Sequence, residues 1–114
     1  MAENLTQQKC KPCEGGVEPL SPEQYQPYLS QISSAWKVAH DKMIERLFTF
    51  KDFKAAMEFV NKVADLAENE GHHPDIYLHQ WNKVKISLWT HAIDGLSVND
   101  FIVASKIDPL TPAR

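Results

Sequence analysis

Apolar residues recur at helical spacing through residues 51–69, and this is the longest periodic stretch in the chain. Phe53, Met57, Val60, Ala64 and Ala67 form the predicted stripe, and Ala56, Phe59 and Val63 widen it. Asp52 stands near the start of this helix, where a carboxylate suits the dipole. Gly71 stands just past its end, where a left-handed residue is often needed, and Pro74 keeps the helix from resuming. On either side the period changes to two. Trp36 and Val38 alternate with polar residues over 35–39, and Asp41-Lys42 reads as a turn. Over 43–50, Ile44, Arg46, Phe48 and Phe50 share one face and Glu45, Leu47 and Thr49 the other, which makes a hairpin. A second pair is predicted over 76–80 and 83–91, joined near Trp81-Asn82. Val84, Ile86 and Leu88 point one way there, and Lys85, Ser87, Trp89 and His91 the other.

Two shorter helices complete the pattern. Leu20-Ser21-Pro22-Glu23 supplies a staple, a cap and a first-turn proline, so a helix is expected over 22–32, stopped by Ser33-Ser34. Ser97 with Asp100 forms an acidic variant of the capping box ahead of Phe101, Ala104 and Ser105, and Asp108-Pro109 ends that helix. The order α-β-β-α-β-β-α, with short turns between paired strands, predicts an α+β fold. Its four-stranded antiparallel sheet carries helices on one face. The other face is left to solvent, a second subunit or a ligand.

With 114 residues, there is room for one core. The expected organisation is an irregular N-terminal arm at 1–19, a single domain at 20–108 and a tail at 109–114. The formal net charge of -3 and the lack of a basic stripe argue against nucleic acid or an anionic membrane surface as partner. The first residues lack a charged segment followed by an apolar one, and no apolar run approaches the roughly 20 residues of a membrane span, so a cytoplasmic location is expected. Cys10 and Cys13 form a Cys-x-x-Cys pair in a polar leader. It reads either as free thiols or as half of a zinc or redox site that needs further ligands from elsewhere.

The candidate chemistry lies in Glu68-Asn69-Glu70-Gly71-His72-His73-Pro74-Asp75, where the long helix meets the second strand pair. Histidine both gives and accepts a proton near neutrality. Two adjacent histidines at such a junction cannot both settle into a core, so at least one faces a cleft or solvent. The negative end of the helix dipole, with Glu68 and Glu70, is expected to favour their charged form. His91 lies at the far end of the following strands and is the third member. A surface pair and a zinc site built from His72, His73 and His91 are the competing readings. His40 and His79 read as surface residues. No phosphate loop, serine elbow or Cys-His pairing is present.

The combination Glu68-x-x-x-His72-His73-Pro74, Trp81-Asn82-Lys83-Val84, Thr90-His91, Gly95-Leu96-Ser97 and Asp100, together with residues 48–53, resembles the pterin-4a-carbinolamine dehydratase family. The resemblance runs from about Leu20 to Ile107. It implies loss of water from 4a-hydroxytetrahydrobiopterin to give quinonoid dihydropterin, which recycles the cofactor of aromatic amino acid hydroxylases such as phenylalanine hydroxylase. It implies no metal and no organic cofactor. By the resemblance, His72, His73 and His91 are the catalytic histidines, and Glu68 and Asp100 orient or charge-tune them. The pterin is held by Gly71-His72-His73 and by Trp89-Thr90-His91-Ala92. Gly71 stands where animal members carry an acid. Ile76 or Tyr77 stands where they carry tryptophan, and the loop to Asn82 is one residue longer. The family also implies a homodimer or homotetramer. The alternatives are a dimerising interaction module of the same fold, like a transcriptional cofactor, or a place in another pterin pathway such as molybdopterin metabolism.

Overall fold

The computed structural model describes residues 5–10 and 18–111. Cys13 lies outside them. Helix α1 (Pro22–Leu29) is followed by strands β1 (Lys37–Ala39) and β2 (Met43–Thr49), the long helix α2 (Phe53–Glu70), strands β3 (Asp75–His79) and β4 (Lys83–Leu88), and helix α3 (Val98–Ile107). The predicted order is therefore the observed one. The four strands form one antiparallel sheet in the order β1-β2-β4-β3. Ile44 lies opposite Leu88, Phe48 opposite Val84 and Ile76 opposite Ile86, on the face the helices cover. Leu47, Lys85 and Tyr77 form a row on the other face, where Leu47 and Tyr77 are exposed.

Local chemistry accounts for most boundaries. Ser21 caps α1 and Gln24 completes a capping box with it. The helix ends at Leu29 rather than near residue 32, because the backbone bonding tightens: Gln31 N–H reaches Tyr28 and Ile32 N–H reaches Leu29. Both hairpins close one residue earlier than expected. His40 and Asp41 are left-handed in the first, Gln80 and Trp81 in the second. Two consecutive left-handed residues match the twist of the flanking strands, and here neither turn uses glycine. Strand β4 stops at Leu88, not at His91. Thr90 pairs with Gly95 instead, and His91–Ile93 forms a 3₁₀ turn inside the loop so closed. Gly95 is required by closeness, since a Cβ there would lie 2.6 Å from Pro19.

The core-facing stripe of α2 differs from the one predicted. Ala56, Phe59, Val63 and Ala67 are buried, whereas Phe53 is 52% exposed and Met57 and Ala64 are also exposed. Of the five residues at the centre of the predicted stripe only Ala67 is fully buried, and Ala56, Phe59 and Val63, expected to widen it, form the core face. The winning face is the one that puts Phe59 against Phe48 and Phe50, with ring centroids 4.6 and 5.0 Å away. Trp36 packs edge-on against Phe48, and Tyr25 and Tyr28 lie beside Phe101. No helix among the described residues is long and apolar enough to cross a membrane.

The described part of the leader is docked onto the fold. Leu5 begins a 3₁₀ turn (Leu5–Gln7) and is 1% exposed in the core. Glu70, the last residue of α2, continues that helix's buried stripe as a carboxylate. It accepts the Cys10 backbone N–H at 2.9 Å and pairs with Lys106 Nζ at 2.6 Å. Burial works to raise the Glu70 carboxyl. The Cys10 N–H and the Lys106 ammonium outweigh it and leave the group below its ordinary value of 4.5.

Two stability outcomes follow from this packing. Phe59→Ala should cost about 3–5 kcal/mol in urea unfolding, while exposed Ala64→Ser should stay within about 0.5 kcal/mol. A carboxyl with a depressed folded pKa stabilises the fold above its unfolded value and loses that contribution as pH falls through the folded one. Glu70→Gln should therefore cost about 1–3 kcal/mol at pH 7, as for a buried partner left with weakened hydrogen bonds. The urea midpoints of variant and wild type should draw together as the pH falls below 4.5 and through the lower folded value.

Candidate active site

The end of α2 sets the histidines. Asp52 caps the other end of that helix, and Gly71 terminates it with φ of 68° and its N–H on the Ala67 carbonyl. Nothing lies within 4 Å of the position a Gly71 Cβ would take, so the backbone angle alone favours glycine there. His73 precedes Pro74, which biases it to an extended conformation. Successive side chains then face opposite ways. The His72 side chain is only 12% exposed and the His73 side chain 61%.

His72 turns inward onto Asp100, with Nε2 at 2.6 Å from Oδ1. Asp100 is wholly buried. Its Oδ2 accepts the Thr90 hydroxyl and the Ser97 backbone N–H, both at 2.9 Å. The Thr90 and Ser97 hydroxyls are themselves 2.7 Å apart. An ionised carboxylate only accepts, so opposite Asp100 the His72 nitrogen that carries a proton is Nε2, and the contact fixes the direction of the ring. The Asp100–Ser97 contact read from sequence as a helix cap is thus also the support of a buried carboxylate. His73 turns outward and its Nε2 lies 2.6 Å from Glu68 Oε2, one turn back on α2. Glu70 does not join them: it faces Lys106 and the leader instead.

His91 sits in the 3₁₀ turn, exposed, with its ring 4.0 Å from that of Trp89. Trp89 Nε1 points to Asp75 Oδ2 at 3.4 Å. The fold therefore brings His72, Asp100, Thr90 and Ser97 into one network and His73 with Glu68 into a second. Trp89 and His91 form a third group, joined to the first through Thr90 between them. Ala92 is exposed in the same turn as His91. Ser97 as part of the network and Asp75 as the partner of Trp89 were not legible as site residues. Ser97 reads from sequence as a cap and as part of the family motif, and Asp75 only as the last residue of the histidine stretch. Of the remaining histidines, His40 is an exposed turn residue and His79 stacks on Tyr77.

Among the described residues no group of three or more His, Cys, Asp or Glu side chains is placed to hold a metal ion. Cys10 faces the Asn99 carbonyl. Burial, with Glu70 beside it, pushes its thiol up to about 12. A metal ligand or redox nucleophile needs the thiolate.

The chain matches the family model described as pterin 4 alpha carbinolamine dehydratase over residues 18–110. It is 51% identical to an Alkaliphilus metalliredigens (strain QYMF) protein named "Putative pterin-4-alpha-carbinolamine dehydratase", over 92% of this chain and 94% of that one. It is 44% identical to the Arabidopsis thaliana pterin-4-alpha-carbinolamine dehydratase 2, mitochondrial, over 94% of this chain and 59% of the plant protein. The fold superimposes on a Brucella melitensis crystal structure described as a transcriptional coactivator/pterin dehydratase. The TM-score is 0.75 at 29% identity, covering 83% of this chain and all of that one. A pterin dehydratase-like RuBisCO assembly factor of the alpha-carboxysome shares the fold at a TM-score of 0.58 and 22% identity, covering 70% of this chain and 93% of that one.

A thiol raised from 9.0 to about 12 holds on the order of 10³-fold less thiolate at pH 8. Peptide-resolved alkylation of the native protein at that pH should leave Cys10 nearly unmodified, with full modification only after unfolding.

Proposed function

Because the chain belongs to the pterin 4 alpha carbinolamine dehydratase family, we propose that it removes water from 4a-hydroxytetrahydrobiopterin by histidine acid–base catalysis, giving quinonoid dihydropterin. The observation that carries the reading is the His72–Asp100 contact at 2.6 Å, held by a carboxylate with no solvent exposure. Such a support fixes both the tautomer and the direction of an imidazole, which a merely structural histidine does not require.

Dehydration of a carbinolamine needs one proton delivered to the leaving hydroxyl and one taken from a ring nitrogen. His73 is open to solvent and backed by Glu68, a position from which it can be recharged after each turnover. We assign it the delivery of the proton at the C4a hydroxyl. His72, with Nε2–H engaged by Asp100, presents Nδ1 as the base toward the ring nitrogen. His91 completes the set from the 3₁₀ turn after β4, and Gly71, Trp89, Thr90 and Ala92 hold the pterin. Electrons stay in the pterin: the C4a–O bond breaks, the nitrogen lone pair forms the new double bond, and water leaves. No protein group changes oxidation state, so the reaction asks nothing of a cofactor.

In this reading the enzyme recycles the cofactor of an aromatic amino acid hydroxylase such as phenylalanine hydroxylase, in the cytoplasm, and works as a homodimer or homotetramer. The unpaired edge of β3 and the open sheet face bearing Leu47 and Tyr77 support self-association. Size-exclusion chromatography with light scattering should give two or four times the chain mass.

Turnover of 4a-hydroxytetrahydrobiopterin above its spontaneous rate is the direct test. His73→Ala and Asp100→Asn should each lower kcat by about 10²–10⁴-fold while His73→Ala unfolds at the wild-type temperature. A folded wild-type chain with no rate above the spontaneous one would sink the enzyme reading and leave a dimerising module of the same fold.

A further inference from the structure

Glu70 is a single residue away from the αL turn that launches His72. Lys106 lies in the last turn of α3, the helix whose first turn carries Asp100. One charged pair therefore joins the two elements that present the two halves of the His72–Asp100 contact. Lys106 Nζ reaches Glu70 Oε2 and the Gln8 carbonyl, both at 2.6 Å. The other Glu70 oxygen accepts the Cys10 N–H. Cys10 Sγ in turn lies 3.6 Å from the Asn99 carbonyl, next to Asp100, and Lys9 Nζ donates to the Asn69 carbonyl at 2.9 Å. Residues 8–10 of the leader thus bond to the end of α2 and to both ends of α3.

Apolar packing between two helices is non-directional and tolerates sliding. A hydrogen bond of 2.6 Å tolerates very little, because its strength falls steeply with distance and angle. Something directional must fix how far α2 advances along α3. Buried ion pairs add little net stability, and fixing one arrangement over its neighbours is a role argued for them. The Glu70 side chain is 3% exposed and that of Lys106 21%, so the carboxylate cannot trade its protein donors for solvent. Lys106 also places its charge at the negative end of α2.

We propose that Glu70 and Lys106, with the leader backbone they capture, are positioning residues that set His72 on Asp100. This rests on the reading of His72 as a catalytic group. Neither residue touches the substrate site, and the leader, which sequence alone treats as an appendage, becomes a functional part of the enzyme.

The test uses the full chain, ¹⁵N-labelled at histidine, with Glu70→Gln, Lys106→Met and the conservative Lys106→Arg. Two readouts are taken: the hydrogen-bonded Nε2–H resonance of His72 in the free protein, and kcat and KM for 4a-hydroxytetrahydrobiopterin. In Glu70→Gln and Lys106→Met the His72 resonance should shift or broaden away while that of His73 stays in place. Their kcat should fall by about 10–100-fold, as expected for a misplaced catalytic group, with KM changed far less. Lys106→Arg should restore both. A folded Glu70→Gln protein that keeps the wild-type His72 resonance overturns the proposal, whatever its turnover. If Glu70→Gln does not fold, Lys106→Gln replaces it, since it keeps a donor toward Gln8 and Glu70 while removing the charge, and the same two results decide. A wild-type chain without dehydratase activity would refute the enzyme reading alone, and the resonance would still decide the clamp.

Discussion

A carboxylate with no access to water is tolerated only when donors surround it. Asp100 is such a group, and much of the fold can be read as the supply of its donors. The start of α3 gives the Ser97 N–H, the closed loop after β4 gives the Thr90 hydroxyl, and the turn after α2 gives His72. Remove any one and the remaining oxygen lone pairs are stranded in a nonpolar surrounding, at a cost of about 1–3 kcal/mol or more for a charged group. The same requirement that steadies the fold also orients an imidazole. Stability and chemistry here make one demand on the sequence.

Much of this architecture can be read from residue order. Period-two and period-3.6 stretches gave all four strands and three helices, because each element buries one face. The acid at N3 of the last helix and the glycine after the long one are local signals, and both were found where their chemistry puts them. The stripe of α2 is centred on its widening residues rather than on the series expected, for a physical reason. Phe53-Met57-Val60-Ala64 and Ala56-Phe59-Val63-Ala67 are both helical series, rotated relative to each other, and periodicity cannot choose between them. The choice belongs to the partners: Phe48 and Phe50 wait on the sheet for Phe59.

What stayed hidden depends on contacts between residues far apart in the chain. From sequence Glu70 reads, with Glu68, as an acid that favours the charged form of the histidines. Its partners Lys106 and Cys10 are 36 and 60 positions away, and no local pattern connects them. The hairpin turns are legible but lie one residue earlier than expected, because their left-handed pairs are His-Asp and Gln-Trp rather than the usual Asn-Gly. The end of β4 was missed because Thr90 leaves the ladder to serve Asp100. The three histidines with Glu68 and Asp100, by contrast, are legible as candidates from identity and spacing, while Ser97 and Asp75 join them only through contacts.

The Thr90–Gly95 bridge has a consequence for the order in which the site assembles. Thr90, Ser97 and Asp100 lie within one short loop and the first turn of the helix it leads into. Closing such a segment costs little chain entropy, so this half of the site can form early and persist through partial openings. His72 must arrive from 28 residues away, from the turn just past the end of a different helix. The site is thus split between an element that is local in the chain and a visitor from outside it. A fluctuation that lifts the end of α2 would disarm the imidazole while leaving the buried acid cradled and the rest of the domain intact.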